Sequence, residues 1–305
     1  MSNIAPQKYG LHLLRSGHRG SQRTSPRLVT ANEQRRLRFL SYGSSRLGRL
    51  DSKRIIITGG AQGIGESIVR KFASEGASIT SMDLNDSVGA RVAAEATKAG
   101  PGKVSYLSVD VSSKESVTKA FVEATQKMGG LDVMVNVAGV QKNALAHDPP
   151  LDVLERVTKV NIWGTIFTNA TAFTLMKESG KGGAIINFGS EAGLTAERDN
   201  SVYGMSKGAV HTWTRSVARE WGLSNVRVNA VLPYVATPMY YRYRDALSPE
   251  ELKNHEQLLK EFPLGGNLGD PTRDLAPVLV FLASDDSHWM TGQLFPVDGG
   301  HVAVR

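Results

Sequence analysis

The chain has 305 residues, no cysteine and a formal net charge of +7, so disulfides, thiol nucleophiles and thiolate metal sites are excluded. Residues 1–50 hold nine Arg, Lys8 and a single acid, Glu33, which leaves residues 51–305 at −2 and the folded region without a basic field for nucleic acid. The seven histidines never fall at the spacing that sets two ligands on one helical face, so no metal site is expected, and no apolar run approaches the roughly 20 residues of a membrane span.

Residues 1–50 are rich in Arg and Ser, interrupted by Pro6 and Pro26, and predict a disordered basic extension without a packed core. The composition resembles a mitochondrial presequence, with Arg38-Phe39-Leu40-Ser41 as a cleavage neighbourhood. The alternative is a tail that targets nothing. The first reading places the protein in mitochondria, the second in the cytoplasm.

From Lys53 onward, β-branched runs alternate with helix-like segments, the pattern of βαβ units around a parallel sheet. Strands are predicted near 54–58, 78–83, 104–110, 131–136, 183–189, 226–232 and 294–297. Helices are predicted near 64–75, 87–99, 113–128, 151–179 with a break, 202–222 and 272–284. The expected fold is one α/β domain over 51–305, a doubly wound, Rossmann-type, mostly parallel seven-stranded sheet with helices on both faces. Ser248-Pro249-Glu250-Glu251 opens a further helix with a capping box, an insertion expected to lie as a flap over the sheet edge.

The first strand runs into Thr58-Gly59-Gly60-Ala61-Gln62-Gly63-Ile64-Gly65 and then a helix. That order suits a phosphate site: Gly59 takes a tight turn, Gly63 lets the backbone approach a pyrophosphate, and Gly65 lets helix and strand pack closely. The spacing departs by one residue from G-x-G-x-x-G, so the loop alone is weak evidence. Asp83, ending the second strand, strengthens it. A carboxylate there accepts hydrogen bonds from the adenosine ribose and repels a 2′-phosphate, which favours NAD over NADP.

Tyr203 and Lys207 are four apart in a helical segment and share a face. Such a pair is common enough by chance to prove nothing alone. Ser190, however, follows the apolar strand Ala184-Ile185-Ile186-Asn187-Phe188, at the carboxyl edge where open α/β sheets bind ligands. A phenol titrating near pH 10 is a poor acid-base catalyst at neutral pH, and a nearby ammonium lowers it.

On these motifs the sequence resembles the single-domain short-chain dehydrogenases/reductases. Thr58 to Gly65 matches their TGxxxGIG loop, Tyr203-Gly204-Met205-Ser206-Lys207 their YxxxK, Ser190 their catalytic serine, and Asn161 the asparagine that completes the tetrad. The resemblance implies that Tyr203 exchanges a proton with the substrate oxygen and Ser190 hydrogen-bonds it. Lys207 would hold the nicotinamide ribose and lower the phenol pKa, and Asn161 would support a water-linked proton path. It assigns cofactor contacts to Gly59, Gly63, Ile64, Gly65, Asp83, Asp110, Val111, Asn136, Tyr203, Lys207 and Thr237. It further implies hydride transfer between NAD and a small alcohol or ketone, and a homo-oligomer, a tetramer foremost, joined through 151–179 and 202–222, with Trp213 and Trp221 either there or in the core.

Two positions depart from the family pattern. Asn136-Val137-Ala138-Gly139 stands for NNAG, and Tyr234 follows Pro233 where the family has Gly. The second either reshapes the substrate pocket beside the nicotinamide or requires a different loop conformation. The flap, 234–265, is read as a loop ahead of its capped helix and carries Met239, Tyr240, Tyr241 and Tyr243, which either close over an apolar substrate or pack the flap down, and Arg242 and Arg244, read first as surface charge. His147, Glu191 and Glu197 are weaker pocket candidates. The rival readings are an NADPH-dependent carbonyl reductase, an enoyl reductase or isomerase on the same scaffold, a catalytically silent dinucleotide-binding subunit, and a nucleic-acid or membrane-surface protein acting through the leader.

Overall fold

Repeated β-α units dominate the computed structural model, which describes residues 48–195 and 199–302. The basic extension up to residue 47, and Glu197, lie outside the described residues. The first half runs β1 (Arg54–Thr58), α1 (Gly63–Ser74), β2 (Ser78–Asp83), α2 (Asp86–Ala99), β3 (Lys103–Ser108), α3 (Lys114–Met128) and β4 (Val133–Asn136). The second half runs α4 (Leu151–Val157), a π-helical turn (Thr158–Trp163), α5 (Gly164–Ser179), β5 (Gly183–Phe188), α6 (Ser201–Trp221), β6 (Val226–Pro233), α7 (Pro238–Asp245) and α8 (Pro249–Leu259). A second π turn (Pro271–Leu275) then leads into α9 (Ala276–Ala283) and β7 (Leu294–Val297).

All strand pairs are parallel, in the order β3-β2-β1-β4-β5-β6-β7. The order reverses between β1 and β4, and the crevice at that switch point, at the carboxyl ends of the strands, is where such sheets take ligands.

Helices cover both faces, so the central strands are apolar throughout and the side-chain alternation of a strand divides them between two cores. Ile55 and Ile57 face one core with Ile68 and Phe72 of α1 and Leu279 of α9. Ile56 faces the other with Phe121 of α3, Met176 of α5 and Trp221 of α6. Trp221 stacks on Phe173 with ring centroids 4.4 Å apart, and Trp213 meets it edge-on. Both indoles therefore serve the core.

Most polar groups inside are paired, as burial demands, with Ser81 Oγ and Thr125 Oγ1 as exceptions. Asn169 and Asn187 exchange amide hydrogen bonds of 2.9 Å, and Asn187 also donates to Thr214. Near the amino end of the sheet, Arg54 grips Asp132 through Nε and Nη2 and reaches the Gly129 carbonyl.

Helix starts follow the expected chemistry. Asn85 caps α2, Ser113 caps α3, and Ser248 with Glu251 forms the expected capping box on α8. Boundaries differ slightly: β3 stops at Ser108, and β4 starts at Val133. The predicted break within 151–179 is a π turn around Asn161 rather than a loop. The Tyr-rich segment, read as loop, is helical from Pro238, because Thr237 caps it and Pro238 sits in its first turn.

Phe121 is fully buried. Phe121→Ala should cost about 3–5 kcal/mol by leaving a cavity, read as a lower urea midpoint with an unchanged slope. A loss below about 1 kcal/mol would contradict this packing.

Candidate active site

The loop between β1 and α1 is shaped to admit an anion. Gly63, at φ +57°, begins α1, and a Cβ there would meet nothing closer than Pro238 Cδ at 3.9 Å. Gln62, the N-cap, makes no side-chain capping bond, so the first N–H groups of α1 are not covered by it. Gly65 is required for close approach, since a Cβ would stand 1.9 Å from the Gly59 carbonyl oxygen. An open, positively polarised helix start fits a pyrophosphate.

At the end of β2, Asp83 accepts hydrogen bonds from the Ala61 N–H and the Asn85 N–H, each 3.1 Å. Its carboxylate is thus fixed against the glycine loop. Tyr106 supports this corner by donating to the Asp83 carbonyl (2.7 Å) and to Asp86 (2.9 Å). Burial first and the Asp86 carboxylate second push that phenol's pKa up. The role of Tyr106 was not read from the sequence, because nothing in a half-exposed strand residue announces it. A groove lined by Leu84, Val109 and Asp110 opens alongside, and Ser112 and Ser116 hold Asp110 in place. Val111 is buried beneath Gly164.

A buried chain of hydrogen bonds links this loop to α6. Thr58 donates to Asn136 Oδ1 (3.1 Å), Asn136 Nδ2 to Thr165 (3.0 Å), and Thr165 to the Asn161 carbonyl (2.7 Å). Asn161 Nδ2 then donates to Ser206 (3.0 Å), and Ser206 to the Tyr203 carbonyl (2.7 Å). The side chain of Asn136 is therefore structural. Asn161, at the π turn, also pairs with both backbone groups of Val140 at 2.8 Å.

Tyr203 and Lys207 occupy one face of α6, with Lys207 Nζ 5.5 Å from the Tyr203 ring centroid. Lys207 is buried, and its Nζ donates to the Phe188 carbonyl at 2.8 Å. Burial alone pulls its pKa down to about 8. A Cβ on Gly139 would come within 3.4 Å of Asn161 Oδ1 and 3.7 Å of Lys207 Nζ, while Ala138 abuts Gly59. The glycine loop, Asn161 and Lys207 thus surround one space.

Ser190 follows β5, and its Oγ accepts from the Ala192 N–H (3.2 Å) while its own N–H donates to His211 Nε2 (3.3 Å). Glu191 is buried against Asp298 of the closing Val297-Asp298-Gly299-Gly300. Burial pushes Asp298 up, yet the Val302 N–H, a side-chain hydrogen bond with Glu191 and the Gly300 N–H bring it below the usual carboxylate range.

Tyr234 is accommodated without disturbing the edge. Its N–H donates to Val297 and its carbonyl accepts from Gly269, and its ring packs against Phe262 (5.1 Å) and His301 (4.9 Å). Phe262 and His301 stack at 4.2 Å, which ties the flap to the C-terminal segment. Tyr240 hydrogen-bonds His255 across α7 and α8 (3.0 Å), so this aromatic packs the flap, whereas Met239, Tyr241 and Tyr243 stay exposed. Arg244 pairs with Asp245 at the surface, Arg242 is exposed, and His147 is exposed. Thr237 caps α7 beside the Pro238 that neighbours Gly63. No group of metal-ligating side chains occurs among the described residues, and none of their helices is long and apolar enough to cross a membrane.

Comparison with known proteins gives one consistent picture. A family profile described as enoyl-(acyl carrier protein) reductase matches residues 59–301. The chain is 34% identical over 256 residues to 2-(S)-hydroxypropyl-CoM dehydrogenase 3 of Xanthobacter autotrophicus, covering 84% of this chain and 99% of that one. It is 32% identical over 261 residues to the NADP-dependent (R)-specific alcohol dehydrogenase of Lentilactobacillus kefiri, covering 84% and 98%. A short-chain type dehydrogenase/reductase from Mycobacterium ulcerans superposes with a TM-score of 0.76 at 27% identity, covering 83% and 90%.

The buried lysine gives a stability test. The unfolded chain keeps the Lys207 proton up to about 10.5, whereas the folded protein releases it near 8. The folded state is therefore penalised below pH 8, and the penalty fades as pH rises from 8 to 10.5. Lys207→Met should raise the melting temperature by a few degrees at pH 7 and by progressively less towards pH 10. A lower melting temperature at pH 7, or a difference that ignores pH, would contradict the buried charge.

Proposed function

The chain belongs to the short-chain dehydrogenase/reductase family, whose members are NAD(P)-linked hydride-transfer oxidoreductases, and we propose that it interconverts a secondary alcohol and its ketone using NAD. The observation that supports this reading is that Asn161 and Lys207 flank Gly139, with the Tyr203 ring 5.5 Å from Lys207 Nζ and Ser190 two residues beyond the Phe188 carbonyl that Lys207 holds.

Bound NAD would accept the hydride from the carbinol carbon. The chain's own residues do the rest. The α1 N-terminus, with Gly59, Gly63, Ile64 and Gly65, takes the pyrophosphate, and Asp83 takes the adenosine ribose hydroxyls. Asp110, Val111 and the main chain of Asn136 border the adenosine side, and Thr237 the nicotinamide side. Ser190 Oγ donates to the substrate oxygen and orients it. The Tyr203 phenolate takes the hydroxyl proton as the carbon loses hydride, so a ketone leaves and the phenol is restored to phenolate through solvent. Lys207, a cation held in a dry site, stabilises that phenolate, and Asn161 fixes the backbone at Val140 and the start of α6.

NAD is favoured because the Asp83 carboxylate is already oriented by two N–H groups at the position that would meet a 2′-phosphate. An NADPH-linked carbonyl reductase is the second reading, favoured by the NADP-dependent relative from Lentilactobacillus kefiri. The helices 151–179 and 201–221 form the contact surface of a homotetramer in this reading, which the exposure of Trp163 and Met205 supports.

Two measurements test it. With cyclohexanol, 2-butanol and meso-2,3-butanediol as probes, the full-length protein should reduce NAD, and Tyr203→Phe should lower turnover by about 10²–10⁴ while NADH binding by fluorescence stays unchanged. Retained turnover in Tyr203→Phe would refute the acid-base role. In the same fluorescence titration, Asp83→Ser should narrow or reverse the preference for NADH over NADPH. A wild-type preference for NADPH would overturn the cofactor assignment.

A further inference from the structure

His211 continues the face of α6 that carries Tyr203 and Lys207, one helical turn beyond the lysine. Only 2% of its surface is exposed, and the ring is wedged into the loop that carries Ser190. A Cβ on Gly189 would lie 2.5 Å from its Nε2, and one on Gly193 would lie 2.7 Å from its Cε1. Glycine on both sides of Ser190 thus makes room for one imidazole. The Ser190 N–H donates to Nε2 at 3.3 Å, which requires Nε2 to carry no proton and the ring to be the neutral Nδ1–H tautomer.

We infer that His211 is a positioning residue: by accepting the Ser190 N–H and filling the space between Gly189 and Gly193, its imidazole fixes where the Ser190 hydroxyl points. The inference rests on the reading of Ser190 given above. The backbone of Ser190 is the last point before its side chain, and the Oγ is otherwise held only by the short turn to the Ala192 N–H among its described contacts. The strand upstream is anchored by Lys207 on the Phe188 carbonyl. One helix face therefore holds the loop at two points, Phe188 and Ser190, and presents Tyr203 beside them. The ring's chemistry suits a permanent acceptor: burial first, then the positive charges of Arg215 and Lys207, lower its pKa to about 4 against the opposing pull of the Gly193 carbonyl. It stays neutral wherever the enzyme works.

The test has a part that needs no substrate. Long-range ¹H–¹⁵N spectra of the full-length protein with labelled histidine, the His211 signals identified by their absence in His211→Gln, should show the Nδ1–H tautomer, neutral from pH 5 to 8. An Nε2–H tautomer, or titration inside that range, overturns the inference. The second part uses NAD and the fastest alcohol of the probe panel. His211→Leu should lower kcat about 10–100-fold with KM for NAD and NADH affinity unchanged, and His211→Gln, which restores an acceptor, should recover much of the loss. Ser190→Ala/His211→Leu should be no slower than Ser190→Ala, because a group that acts only through Ser190 has nothing left to position. Wild-type kcat in His211→Leu beside a crippled Ser190→Ala defeats the inference alone, as does an additive loss in the double variant. Wild-type kcat in Ser190→Ala defeats the underlying reading of Ser190 instead. If His211→Leu does not fold, the tautomer and the kcat of His211→Gln decide.

Discussion

An ammonium group buried at the carboxyl edge of the sheet is costly to hold, and the rest of the site is arranged around it. Lys207 has one hydrogen bond in the described structure, to the Phe188 carbonyl, and gives up part of its proton affinity to burial. A fold tolerates such a group where its charge has work to do. In the function proposed above, that work is to hold a phenolate one helical turn away and to meet the ribose of a nucleotide seated on the glycine loop.

The lysine can be placed there only because α6 lies tightly on the loop after β5. Gly204 approaches the Ala192 carbonyl so closely that a Cβ would stand 2.6 Å from it, and Gly193 approaches the backbone of Lys207 and Gly208. Small residues on both surfaces let helix and loop share one layer, which brings Ser190, Tyr203 and Lys207 to a common side. The hydrogen-bond chain from Thr58 through Asn136, Thr165, Asn161 and Ser206 then ties that layer to the nucleotide loop. Across the edge from that layer, Tyr234, Phe262 and His301 join the flap to the C-terminal segment.

Much of this was legible in the sequence, for identifiable reasons. The glycine loop, Asp83 and the Tyr203–Lys207 pair are local patterns with local causes, and the apolar runs of a buried parallel sheet set the strands to within two residues. What escaped depends on contacts between distant segments. His211 and Ser190 meet only once α6 is laid on the β5 loop, and Glu191 meets Asp298 only once β7 closes the sheet. The π turn at Asn161 leaves no composition signal, since it is a matter of backbone pitch. The helix at Pro238–Asp245 was legible in principle, as Thr237-Pro238 repeats the start signal of Ser248-Pro249, but its run of tyrosines read as loop.

Whether the glycine loop, Asp83 and the α6 face form one site is tested most directly by a crystal structure of the full-length protein grown with NAD. The expected map shows the adenosine ribose hydroxyls within hydrogen-bond distance of Asp83, the pyrophosphate on the α1 N-terminus, and Lys207 Nζ within hydrogen-bond distance of the nicotinamide ribose. A nucleotide bound elsewhere, or one that touches neither Lys207 nor Asp83, would contradict it.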